Sequence, residues 1–479
     1  MLGVKIRETA FRGNYKREGQ SLYAAAYFLN KTMKQFIYLQ KQGQGNANIM
    51  KYVYLTSSII IIALLCTICC HIMTRREEQK QMQTESILPF GDYLPTAENP
   101  LIRVVIKTNG FRNIAHTNVS ISSGAGCIVI CGEETQEIAS GETVSFTPDD
   151  VRFQNGTIRI KSKTENEKLV LSSISRGYGI PSYRGEIELF ATAEGIVIVN
   201  ELPVEEYLYA VVPSEMPASY EKEALKCQAV CARSYAYCQM LAFAYPEYLA
   251  HVDDSVSFQV YGNSLEKETT TQAVQETIGQ KVWFQNEVVK TYYYSTSCGH
   301  STSIEAWGTA LSEKNSYLCG RELCDVNKNA YEKNLPWYRW KAVIPQKTMG
   351  NLIELNTGKE IGTLQDVLIT KRGVGNIVQQ IEAVGTEGKI VVETENKIRK
   401  ALGGEGFQIE KQDGNKVNSS ALLPSAFFTI AKNGENYIIE GGGYGHGIGM
   451  SQNGANEMAK TGMSHTDILT FFYPGTKVY

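Results

Sequence analysis

The stretch that most constrains this chain is Tyr52 to Met73, YVYLTSSIIIIALLCTICCHIM, which contains no Asp, Glu, Lys or Arg. A bilayer is crossed by a helix of roughly 20 apolar residues, so the run reads as one transmembrane helix. Nine Lys and Arg precede it in residues 1–51 against two Glu, whereas Arg75 and Arg76 after it are balanced by Glu77 and Glu78. The basic flank belongs in the cytosol, which places everything beyond residue 73 outside. A cleaved signal peptide is the competing reading, and no A-x-A-like site follows the run to favour it. A lipoprotein cysteine is disfavoured, because Cys66 follows Leu65 and Cys69 follows Ile68 where a small residue is expected. Residues 1–49 are expected to be a short cytosolic tail without catalytic importance, or an over-extended start ahead of Met50.

Beyond the span, residues 74–100 are polar and interrupted by Pro and Gly, as a stalk would be. From Leu101 the texture changes to short β-rich runs: IRVVIKT, GCIVICG, ETVSFTP, GTIRIKS, KLVLSSI, EIELFAT and GIVIVN. Turn residues separate them, so 101–200 reads as an all-β module. Residues 201–479 read as mixed α+β, with strand-like runs at 280–297 and 339–430. Helices are expected over 219–243, with Ser219 as N-cap, and over 451–461. The predicted fold class is therefore α+β behind a single N-terminal transmembrane helix. A formal net charge of −3 argues against an electrostatic nucleic-acid binder.

Three constellations carry chemistry. In Val211-Val212-Pro213-Ser214-Glu215-Met216-Pro217 one acid stands between two prolines ahead of a regular helix. Pro fixes φ and restricts the residue before it, so Glu215 is projected from a rigid turn. A general acid needs such rigidity; a carboxylate serving only a helix dipole is the alternative. The second is Glu440-Gly441-Gly442-Gly443-Tyr444-Gly445-His446-Gly447-Ile448-Gly449-Met450-Ser451-Gln452, where alternate glycines allow close backbone approach and are expected to leave His446 exposed. It contains neither a phosphate loop nor a dinucleotide fingerprint. The third joins Cys298-Gly299-His300 to Cys319-Gly320-Arg321-Glu322-Leu323-Cys324. Cys298, His300, Cys319 and Cys324 are enough for a tetrahedral, structural zinc; a Cys319–Cys324 disulfide and free thiols remain as alternatives. Eleven cysteines are present, three of them (66, 69, 70) in the apolar run. Cys227, Cys231 and Cys238 share one helix face and read as core packing rather than a metal stripe.

SEMPASYEKEALKCQAVCARSYAY, DDSVSFQVYG, YYYSTSCGHST and GGGYGHGIGMSQNGANEMAKTG together resemble the stage II sporulation protein D family, to which amidase-enhancer proteins are similar. The resemblance covers about 101–479, most densely 200–310 and 437–476. It implies a membrane-anchored lytic transglycosylase that cuts peptidoglycan glycan strands during forespore engulfment, with a cell-wall amidase as partner that removes stem peptides first. The family's catalytic acid falls on Glu215. A glycan-binding groove is expected opposite it, with Gln228, Tyr444, His446, Met450, Ser451 and Gln452 as substrate contacts. Arg233, on the same helix as Gln228, is expected to pair with an acid. Cys227 and Cys231 stand where the family usually has alanine, and the cysteine and histidine pair after Tyr294 is not general to it, so zinc is not implied. One acid/base suffices for this reaction, because the muramyl C6 hydroxyl attacks C1 and no enzyme nucleophile is needed; ordinary glycosidases need two carboxylates. The other reading is a non-catalytic scaffold that presents glycan to the amidase. A zinc peptidase or serine hydrolase lacks its H-E-x-x-H or G-x-S-x-G motif.

Overall fold

In a computed structural model of the chain, the residues described are 99–479 apart from 166. The tail, the apolar run and almost all of the stalk lie outside them. Among the described residues no helix is long and apolar enough to cross a membrane.

The described part is mixed α+β and rich in strands. All seven β-rich runs of the 101–200 region form strands, joined by further ones that include Val119–Ser123 and Glu134–Ile138. Leu101–Ile106, Gly195–Pro203, Glu186–Thr192, Ile158–Ser162, Cys127–Cys131 and Glu134–Ile138 hydrogen-bond in that order into one large sheet. A second sheet orders Thr143–Phe146, Val119–Ser123, Leu169–Leu171 and Ser182–Tyr183. The side chains alternate as strand geometry requires: Val119, Ile121, Cys127, Val129, Ile158 and Ile160 turn inward. Both sheets contribute to one core.

The strand Gly195–Pro203 runs straight into the helix Val204–Glu215. This helix was not expected, because Pro213 reads as a breaker. It lies in the last turn, where the lost N–H forfeits a single internal bond, and Met216 N–H to Val212 O at 3.0 Å still closes the end. The next helix is Lys222–Gln239, shorter than the predicted 219–243, and Ser219 does not cap it; Glu221 stands at the N-cap. This helix is buried on two faces. Ala229, Ala232 and Ala236 enter the core of the β-sheets, while Ala224, Leu225, Cys227, Val230 and Cys231 enter a second core built by the C-terminal half. Cys227 and Cys231 are fully buried thiols, as core packing predicts.

The second core rests on a five-stranded antiparallel sheet ordered Lys416–Asn418, Gln408–Lys411, Trp340–Pro345, Asn436–Gly441, Phe428–Asn433, and on the three-stranded sheet Leu364–Arg372, Val378–Gly385, Lys389–Glu393. Two helices interrupt the region read as strands, Gln346–Thr357 and Glu395–Leu402. The predicted 451–461 helix is Gln452–Lys460, capped by Ser451 accepting from Gly454 N–H. A last helix, His465–Phe472, follows.

Candidate active site

Glu215 is the final residue of the helix Val204–Glu215, so the acid leaves a helix C-terminus rather than entering an N-terminus. Two clamps hold it. The first is the loop after Val252–Asp253: Val260 N–H donates to Glu215 Oε1 at 2.6 Å, and the N–H groups of Asn263 and Ser264 each donate to Ser214 Oγ at 3.1 Å. The second is the helix Gln452–Lys460. Gln452 Nε2 donates to the Glu215 carbonyl at 3.0 Å, Tyr220 donates its hydroxyl to Asn453 Oδ1 at 2.6 Å, and Glu221 N–H donates to Asn456 Oδ1 at 2.8 Å. The Glu215 backbone and the stretch just after Pro217 are thus gripped by side chains more than 230 residues further along.

Burial raises the Glu215 pKa to about 7, and the Val260 N–H bond offsets part of that rise. No second carboxylate contributes to the shift. The apolar surroundings include Met216, which is 1% exposed, and the tyrosines 207, 235 and 293, each of which feels the Glu215 charge. Gln259 joins two of these rings, accepting from Tyr207 at 3.4 Å and donating to Tyr293 at 3.1 Å. Val260 and Gln259 were not singled out from the sequence, although they lie inside DDSVSFQVYG.

The predicted contacts separate into two groups. Gln228 and Gln452 converge beside Glu215: Gln452 Nε2 donates to Gln228 Oε1 at 3.1 Å, while Gln228 Nε2 is buried without a hydrogen-bond partner. Tyr444 is exposed and packs on Trp337 at 4.8 Å, a platform on which a pyranose face can stack. Met450 and Ser451 do not face a groove; both are fully buried. Met450 pairs with Tyr293 in a short parallel bridge and packs in the second core. Ser451 spends its proton on Glu332 Oε1 at 2.8 Å and accepts from Gly454 N–H, so neither function is left for a sugar. His446 is not exposed between its glycines. Its Nδ1 accepts Ile448 N–H at 3.1 Å, its Nε2 donates to Tyr293 O at 2.9 Å, and Trp307 packs on the ring at 5.0 Å. Burial lowers its pKa to about 3, so His446 is a neutral staple between Tyr293 and the glycine-rich loop.

Glu332 escaped notice in the sequence because nothing frames it there. It is fully buried and accepts from Ser297 N–H at 2.9 Å, from Ser297 Oγ and from Ser451 Oγ, which joins the STSCGH segment to the cap of the helix Gln452–Lys460. Arg233, expected to pair with an acid, is fully buried and grips Glu205 with two bonds of 2.7 Å.

The segments carrying Cys298, His300, Cys319 and Cys324 do lie together: His300 bridges Glu322, Ser303 bridges Cys319, and Cys324 bridges Ala330. Their side chains are not arranged as a ligand set. The three cysteines are free thiols, His300 Nδ1 is turned onto the Ser301 carbonyl, and among the described residues no group of three or more His, Cys, Asp or Glu is placed to hold a metal. The alternative Cys319–Cys324 disulfide is not formed either.

A family profile described as Stage II sporulation protein matches residues 192–284, and one described as a domain of unknown function matches 246–449. Stage II sporulation protein D of Bacillus subtilis (strain 168) is 30% identical over 339 residues, covering 66% of this chain and 86% of that protein. The chain belongs to the stage II sporulation protein D family. The protein of that name in Bacillus amyloliquefaciens is 30% identical over 297 residues, 58% of this chain and 75% of its own length. An amidase enhancer of Bacillus subtilis is 29% identical over 293 residues, 56% of this chain and 40% of the enhancer. The stretch that matches the stage II sporulation profile contains Glu215, Gln228 and Val260, so it includes both the acid and the loop that clamps it.

Proposed function

We propose that this sporulation protein is a membrane-anchored peptidoglycan lytic transglycosylase. It cleaves amidase-denuded glycan strands between N-acetylmuramic acid and N-acetylglucosamine, leaving 1,6-anhydro ends, during forespore engulfment. The observation that carries this reading is Glu215, a single carboxyl with a pKa near 7, held at both its backbone and its side chain. Because Oε1 accepts the Val260 N–H, the proton sits on Oε2. Protonated Oε2 donates to the glycosidic oxygen as the C1–O bond breaks. The resulting carboxylate then takes the C6 hydroxyl proton of the muramyl residue as that oxygen closes on C1. The proton count balances: the proton taken from the C6 hydroxyl replaces the one given to the leaving oxygen, so Glu215 ends the step protonated, as it began. A site of low polarity suits both halves, since it favours the neutral acid before the step and makes the carboxylate a stronger base after it.

The reading includes an anchor at 52–73 behind a cytosolic tail (1–51), a stalk (74–100), a β-rich module (101–200) and a catalytic region (201–479) with a glycan-binding groove outside the cytoplasm. A cell-wall amidase is its partner and supplies denuded strands; nucleic acid is not a ligand. The likeness to an amidase enhancer favours a second reading, a non-catalytic scaffold that binds glycan and activates the amidase.

The purified chain in detergent, and its Glu215→Gln variant, would be incubated with denuded strands and the ends analysed by mass spectrometry. Anhydro-muramyl ends from the wild type alone support transglycosylation. Reducing ends indicate hydrolysis and a second carboxylate. Bound but uncut glycan leaves the scaffold.

A further inference from the structure

An open cleft of about 970 Å³ lies between the Cys298–His300 segment and the five-stranded sheet, and Glu215, Val260 and Gln452 do not line it. It is distinct from the site already described, although the same glycine-rich segment serves both: Gly441 and Gly442 form part of the cleft wall, and Gln452 reaches Glu215. Its size is at the upper end for small-molecule sites, and its open shape suits a stretch of polymer.

The cleft is positively charged in a chain whose net charge is −3. Among the described residues, three of its cations form no salt bridge, although Asp325 feels the charge of Lys333. Arg339 donates to the carbonyls of Cys298 and Tyr338 at 3.0 and 2.7 Å. Arg372 donates to those of Asn376 and Phe428 at 2.8 and 3.0 Å. Lys333 donates to Asn329 Oδ1 at 2.9 Å. Burial lowers the Arg372 pKa with no acid to oppose it. By contrast, Lys328, Lys341 and Lys411 at the same cleft are paired with Glu322, Glu440 and Asp413. Guanidinium groups held open by carbonyl bonds are preorganised for a carboxylate, which they bind with two parallel bonds. Aromatic surface lies alongside: the Arg339 guanidinium is 4.0 Å from the Tyr338 ring centroid, and Lys411 stands 5.6 Å from Trp337, the ring that packs on exposed Tyr444. Cations beside aromatic faces match a sugar chain that carries carboxylates.

We propose that this cleft is a second glycan-binding site, in which Lys333, Arg339 and Arg372 hold the lactyl carboxylates of N-acetylmuramyl residues in a strand whose other part lies at Glu215. This rests on the proposed glycan substrate. Stem-peptide removal leaves one lactyl carboxylate per disaccharide, so the cleft distinguishes a muramyl strand from an uncharged polymer of N-acetylglucosamine.

Binding is measured in the full chain carrying Glu215→Gln, so that no strand is cut. The probes are denuded muramyl strands, chitin oligosaccharides of equal length, and free stem peptide. Adding Lys333→Glu and Arg339→Glu, both at exposed positions, should weaken the muramyl strand at least tenfold, reduce its salt dependence and leave chitin binding unchanged. Arg372→Lys should give an intermediate loss with an unchanged melting temperature. Equal affinity of the reversal variant for muramyl strands would overturn the proposal, and so would an equal loss for chitin. Stem peptide that binds the wild-type cleft and displaces the strand would also overturn it, by assigning the cations to peptide carboxylates. Anhydro ends produced by wild type are scored separately, so the cleft can fail while the transglycosylase reading stands, and the reverse.

Discussion

At the scale of single residues, two carboxyls with the same raised pKa do different work, Glu215 being partly exposed and Glu332 fully buried. Glu215 faces tyrosines and one backbone N–H, and its proton is free to leave toward a substrate; Glu332 is enclosed by Ser297 and Ser451. Cleavage should require protonated Glu215 and so fall as pH rises through about 7. Because His446 is neutral down to about pH 3, no histidine limb should appear in a pH–rate profile taken from pH 5 to 9. Glu215→Gln should lose about 10²–10⁴-fold in rate, the usual worth of a general acid, while its circular dichroism and melting temperature stay those of the wild type. Glu332→Ala should cost about 1–3 kcal/mol, because Ser297 N–H is left buried and unpaired. Chemical denaturation would measure this, and a midpoint equal to wild type would remove the structural role of Glu332.

At the scale of elements, the site is assembled where three segments meet around the helix Gln452–Lys460. Gln452, Asn453 and Asn456 from its first turns fasten the segment Glu215–Glu221, and Ser451 before it is fastened by Glu332. The position of that helix depends on the parallel bridge between Tyr293–Tyr294 and Met450–Ser451, which needs Gly449 at φ +77°. An added Cβ there would fall 2.1 Å from the Tyr292 carbonyl. Gly449→Ala should therefore lower both the melting temperature and the cleavage rate. Gly462→Ala, at φ +90° with nothing within 4 Å of the added carbon, should cost only backbone strain of about 1–3 kcal/mol and leave cleavage intact. The helix Lys222–Gln239 depends in the same way on Arg233. Removing that guanidinium leaves Glu205 charged and buried, so Arg233→Ala should lose about 3–5 kcal/mol, read as a drop in the denaturation midpoint.

At the scale of the whole molecule, the buried ionisable groups define a stability window. Glu215 and Glu332 have folded pKa values of about 7 and Asp254 of about 6, above their ordinary values. The folded state therefore holds these protons more tightly, and their contribution, complete below about pH 4, is lost as pH rises to 7. His446 and His251 run the other way, with folded values of about 3 and about 4; their contribution is complete above about pH 6.5 and is lost on acidification. Over about pH 4.5 to 6.5 three carboxyl contributions fade while two histidine contributions grow, so stability should be greatest near pH 4.5, decline gently toward pH 7 and also fall on acidification, a profile that melting temperatures across pH 3–8 would test; a maximum above pH 8 would contradict these shifts. The sequence by itself determined the α+β class, the seven strand runs between 101 and 200, the packing role of Cys227 and Cys231, the pairing of Arg233 with an acid, and Glu215 as the acid to watch. Each of these depends on local spacing, side-chain size or a motif, and is written within a few residues. Tertiary structure alone decided which motif residues keep a free polar group beside Glu215. Ser451, Met450 and His446 stand beside Gln452 in the chain, yet their hydrogen-bonding groups and surfaces are taken up by Glu332, the core and Tyr293. It also decided that Val260 supplies the N–H at Glu215, and that the cations near 333–372 share one cleft. Contacts across tens to hundreds of residues fix such partners, and no local pattern records them.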